Sequence, residues 1–266
     1  MIWFLTLLSF LFTLLLIPLV ADMVSTRLLR ANYANEQIPV GLGVVFILAV
    51  VPLVLLAVLL TEITLLEGMI WVSTISSFGL IGFIDDTLGS REARGFTGHF
   101  RALWHGQLTT GALKALFGGV IALLVAFFTS DHGFVIILNT FLIALFANVL
   151  NLLDVRPGRA GKFYLLLTIP LIISGFAQLP SLLITASLIA YLPWDLSARV
   201  MMGDVGANIL GAIFGLSVIG LPISGRLLIL LLLIGLHVYA ERFSLSRAID
   251  DNTWLHSLDL WGRKKV

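Results

Sequence analysis

Apolar residues in this chain run in blocks of about twenty, the length an α-helix needs to cross a bilayer core of roughly 30 Å. The blocks lie at about 2–20, 39–60, 68–84, 108–129, 134–153, 163–178, 180–193, 205–221 and 226–241. Only 12% of the 266 residues are charged, where a soluble domain carries about a quarter. Mean hydropathy is +1.06. A membrane β-barrel would instead alternate apolar and polar residues over ~10-residue segments, and this sequence does not. The pattern predicts an all-α, polytopic transmembrane bundle of about nine spans, forming a single domain over residues 1–266. Met1–Val20 reads as a retained first span, because it has no basic n-region and no small-residue cleavage site. The chain has no cysteine, which excludes disulfides, thiolate catalysis, Cys-ligated zinc and Fe–S clusters.

Charge placement sets the expected orientation. Arg27 and Arg30 fall between the first two blocks, Arg91, Arg94 and Arg101 between the third and fourth. Arg156, Arg159 and Lys162 follow the fifth block, and Arg199 follows the seventh. Arg242, Arg247, Arg263, Lys264 and Lys265 lie in the tail. Fourteen of sixteen basic residues thus share one side, Lys114 lies near the same end of the fourth block, and only Arg226 lies opposite. The positive-inside rule puts these loops and the C-terminus in the cytoplasm and the N-terminus outside. The opposite loops are short and chemically sparse, so function is expected at the cytoplasmic face of the plasma membrane.

Four acidic segments return to that face. Gly82-Phe83-Ile84-Asp85-Asp86 ends an apolar block with two adjacent carboxylates, which oppose a helix dipole at its C-terminus and repel each other. Such a pair points to a hard cation or a proton-transfer role more than to a solvated helix end. Asn148, Asn151 and Asp154 recur every three residues along one helix face and lead into the basic turn Val155-Arg156-Pro157-Gly158-Arg159. A polar seam between spans would use the same residues, but the basic turn suits phosphate. Met202-Gly203-Asp204-Val205-Gly206-Ala207-Asn208 opens another apolar block. Asp204 there is either a helix cap or, opposite Asp85 and Asp86, part of a site. His256-Ser257-Leu258-Asp259-Leu260 lies in the tail, where Trp254 and Trp261 fit an interfacial amphipathic helix. Arg101 is either a phosphate contact or a membrane-side charge.

Together these segments, with Ile38-Pro39-Val40-Gly41-Leu42-Gly43, resemble the polyprenyl-phosphate sugar-1-phosphate transferases. Order and spacing agree from about residue 30 to 262. The resemblance implies transfer of a sugar 1-phosphate from a UDP-sugar to undecaprenyl phosphate, with release of UMP and use of Mg²⁺, as the first membrane step of a cell-envelope glycan. It implies catalytic roles for Asp85, Asp86, Asp204 and His256, with Asp204 and Asp86 at the metal. Asn151, Asp154, Arg156, Arg159 and Arg101 would meet substrate. The expected partners are the lipid phosphate, the UDP-sugar and the membrane, with no nucleic acid, and a homodimer is left open. The family pattern places a second aspartate where this chain has Pro157, a run of histidines where it has His256-Ser257, and a basic residue where it has Gly89. These departures mark a divergent member. Two other readings compete: a non-catalytic relative that binds lipid phosphate or nucleotide, and a transporter. The transporter would carry its charges near mid-span, whereas these acids sit at span ends.

Overall fold

The computed structural model describes residues 1–89 and 95–264, so Arg91, Arg94 and Lys265 lie outside the described residues. The order is α1 (Ile2–Ser25), a hairpin of β1 (Leu29–Ala31) and β2 (Gln37–Pro39), α2 (Val44–Leu59), α3 (Leu65–Leu88), α4 (Gly95–Trp104), α5 (Thr110–Phe128) and α6 (Gly133–Leu153). Then come α7 (Arg159–Ile173), α8 (Leu179–Leu196), α9 (Gly203–Ser217) with a 3-10 turn, α10 (Ile223–Arg242), α11 (Leu245–Asp251) and α12 (Thr253–Leu260). Among the described residues, seven helices are long and apolar enough to span a membrane: α1, α3, α5, α6, α8, α9 with its 3-10 turn, and α10. The other two expected spans form helices of 16 and 15 residues, α2 and α7. The chain is a multi-pass helical membrane protein.

Local chemistry explains several helix starts. Thr64 accepts from the Glu67 N–H at 3.2 Å while the Glu67 carboxylate accepts from the Thr64 N–H at 2.7 Å, a reciprocal cap that begins α3. Thr109 caps α5 through the Ala112 N–H. The expected span at 39–60 becomes helical only at Val44. Residues 39–43 instead pair with the segment before α9: the Leu42 and Gly43 N–H groups donate to Met201 and Met202, and the Met201 N–H donates to Pro39. Hairpin pairing sets Arg30 opposite Ile38.

Helix α9 lies at the centre of the bundle, packed chiefly on α6 and α3. Nearly all its side chains are buried. Close approach there needs small residues, as is usual where membrane helices pack without a water-driven term. A methyl group on Gly82 of α3 would collide with the Asp204 backbone, and one on Gly211 with the Phe146 carbonyl of α6. Phe146 and Phe214 fill the same seam edge-to-face at 4.7 Å. These contacts bring the C-terminal ends of α3 and α6 to the N-terminal end of α9.

Candidate active site

The two adjacent aspartates differ in role. Asp86 is buried, and its carboxylate accepts from the Asp204 N–H at 3.1 Å and the Val205 N–H at 3.2 Å. It therefore caps α9. A charge at the unfavourable end of α3 stands at the favourable end of its neighbour. The carbonyls left open at the end of α3 are met by Arg30, whose Nη2 donates to Asp86 O at 2.7 Å and Asp85 O at 3.3 Å. Gly203 has φ +68°, and a side chain there would strike the Asp86 carboxylate, so glycine is required on both counts.

Asp85 faces the other way. It lies beside Asp204 and Thr110, with Lys114 Nζ at 3.8 Å. Lys114 Nζ also donates to Asp204 Oδ2 at 2.6 Å, and Asn151 Nδ2 donates to the same oxygen at 3.2 Å. Four helices, α3, α5, α6 and α9, thus converge on one polar point. Lys114 and both carboxylates keep 16–25% of their side-chain surface accessible. Read from sequence, Lys114 has no role beyond its side of the membrane. The cap at Thr109, one turn earlier, fixes where its helix starts and is the signal that placed it.

A second acidic group adjoins this point. Burial, and then the negative charges of Asp195, Asp204 and Asp86, push the Asp154 carboxyl well above the usual range, against the opposing charge of Lys114. Asp195, at the end of α8, is buried and accepts from the Gly158 N–H at 2.9 Å. It was not foreseen, since Trp194-Asp195-Leu196 reads as a plain helix end. The Arg156 guanidinium lies over the Tyr33 ring at 5.1 Å, so the hairpin reaches the 154–158 turn.

The comparisons with known proteins bear on this arrangement. The sequence model for glycosyl transferase family 4 matches residues 68–221, which carry Asp85, Asp86, Lys114, Asn151, Asp154 and Asp204. The chain belongs to glycosyl transferase family 4. It is also 28% identical over 247 residues to a phospho-N-acetylmuramoyl-pentapeptide-transferase from Petrotoga mobilis (strain DSM 10674 / SJ95), covering 81% of this chain and 74% of the relative. It is a divergent member of the polyprenyl-phosphate sugar-1-phosphate transferases.

Within this family 4 glycosyl transferase, three residues expected at the substrate lie elsewhere. Arg159 is 5% exposed and forms a two-pronged pair with Asp259: Nε to Oδ1 at 2.9 Å and Nη2 to Oδ2 at 2.8 Å. Its remaining nitrogen donates to Ser246, so its donors are engaged within the protein rather than free for phosphate. His256 is half exposed and faces Asp250 at 3.6 Å; no contact joins it to Asp85 or Asp204 among the described residues. Arg101 is exposed on α4, with no ion pair among the described residues. Asn148 is likewise exposed.

No group of three or more acids and histidines in metal-holding geometry occurs among the described residues. Mg²⁺ does not need one, since it binds through one or two carboxylates plus substrate phosphate and keeps several waters. Asp85 and Asp204 offer that donor set. Asp86, expected at the metal, has both oxygens on the amides of α9.

Proposed function

We propose that this protein transfers a sugar 1-phosphate from a UDP-sugar to a polyprenyl phosphate at the cytoplasmic membrane face, releasing UMP. The observation that carries this reading is the convergence of Asp85, Asp204, Lys114 and Asn151 at one end of the bundle. Phosphoryl transfer asks for placement and charge neutralisation more than for covalent work by the protein. Asp85 takes a proton from the lipid phosphate or orients it, and Lys114 offsets charge on the transferring group. An oxygen of the lipid phosphate bonds to the sugar-bearing phosphorus, the bond from that phosphorus to the bridging oxygen breaks, and UMP leaves with that oxygen. Asp204 and Asp85 would hold Mg²⁺, which supplies positive charge to the phosphates when bound. Asn151, Asp154 and Arg156 face the nucleotide side. An apolar groove of about 430 Å³ lies between α6 and α10, lined by Phe134, Ile137, Phe141, Leu230, Ile234 and His237 among others, toward the end of α6 away from Asn151.

The test is to supply purified protein with undecaprenyl phosphate, Mg²⁺ and a panel of UDP-sugars, and to measure UMP. Release with at least one sugar is expected. Folded protein that frees no UMP from a broad panel would overturn the proposal.

A further inference from the structure

The tail is joined to the substrate side of the molecule by a buried charge cluster. Asp259 of α12 is 6% exposed and lies 100 residues beyond Arg159 in sequence. Besides Arg159 it pairs with Arg263 at 2.9 Å. Lys162, one turn into α7, donates to the Leu258, Asp259 and Trp261 carbonyls, capping α12 from another helix. Burial alone would raise the Asp259 carboxyl, but the bonds and charge of Arg159 and then Arg263 outweigh it and hold it below its usual range.

The partners of this cluster bracket one turn. Arg159 is the residue on which the 154–158 turn enters α7. Arg263 Nε reaches the Pro157 carbonyl at 3.3 Å, and the Lys264 N–H donates to Leu196, next to Asp195. Asp195 holds the Gly158 N–H. Proline at 157 offers no side-chain polar group, and Gly158 has φ +72°, so these two residues supply little to hold the turn. Its backbone is held by Asp195 and the tail together. Asp154 and Arg156 are carried on that turn.

We propose that Asp259 is a positioning residue: by gripping Arg159 and Arg263 it fixes the turn that presents Asp154 and Arg156, so the C-terminal segment sets nucleotide affinity. This rests on the transferase reading for its functional half. The conformational half is read without turnover. In Asp259→Asn, hydrogen exchange across 154–159 rises by about tenfold or more. KM for the UDP-sugar rises about tenfold, while kcat and the KM for lipid phosphate stay within about threefold. Asp259→Glu restores both readouts in part, and Arg263→Met moves them the same way by less, since the Arg159 pair survives. Unchanged exchange in Asp259→Asn overturns the proposal whether or not the protein is active. So does a loss of kcat with nucleotide KM unmoved, the mark of a purely structural tail. Absence of UMP release by the wild type counts against the transferase reading alone, and the exchange result still decides the clamp.

Discussion

Two charged clusters lie a few residues apart and are built on opposite terms. Around Asp204 the acids outnumber the cations. Asp85, Asp86, Asp154, Asp195 and Asp204 gather with Lys114, while Arg30 gives its bonds to backbone carbonyls. Around Asp259 one carboxylate, almost out of contact with solvent, meets the Arg159 and Arg263 guanidiniums, while Lys162 gives its bonds to backbone carbonyls. A buried surplus of carboxylates is costly and is relieved by protons or by a cation. A buried carboxylate already held between two guanidiniums calls for no further cation. Under the proposed transferase reading the first would receive a cation and a phosphate, and the second would hold still.

The sharpest way to break this contrast is to remove charge from the open cluster. Asp204→Asn or Asp85→Asn lowers the UMP release rate by at least ~100-fold while the protein still folds. Wild-type rates in both would remove the open cluster from the chemistry. Next, the sealed cluster predicts a stability effect. Arg159→Met leaves Asp259 with reduced compensation and costs about 2 kcal/mol, whereas Arg159→Met with Asp259→Leu recovers most of it. Unfolding midpoints in one detergent check this, and additive losses would mean the pair is not the unit. Lys114→Met follows, with kcat down about tenfold. If the rate holds, Lys114 is a structural partner of Asp204 and no more.

The smallest effect is in pH. Asp259 has a folded pKa below its unfolded value of about 3.9, so its stabilisation is complete above that value and lost as pH falls through the lowered folded one. Tail protection from proteolysis is therefore flat between about pH 5 and 7 and, on the acid side, falls only below about pH 4. Release of the tail at pH 6 would assign the contact to another group.

Much of the architecture was legible in the sequence because apolar length is local information. The block at 134–153 is α6, Gly133–Leu153, and the block at 2–20 grows by five residues at one end. What escaped was pairing over long distances. The hairpin Leu29–Pro39 has three-residue strands with no alternation to read, and residues 39–43 left their apolar block because a partner at 201–202 claims their backbone. Within the site, the acidic segments and Asn151 stood out because acids are rare here. Lys114 hid among membrane-side cations, and Asp195 hid at a helix end. Arg159 looked free for phosphate because its partner lies a hundred residues away.

The enclosure of α9 has a consequence for how the protein is made. Asp204 enters the chain after about three quarters of it has been synthesised, and the slot it occupies is formed by α3 and α6, which precede it. Until then the acid of α3 has no helix end to cap, and the glycine faces of the slot have no helix against them. The acidic cluster can form only when α9 enters between α3 and α6, and the segment around Asp259, later still in the chain, closes the turn beside it.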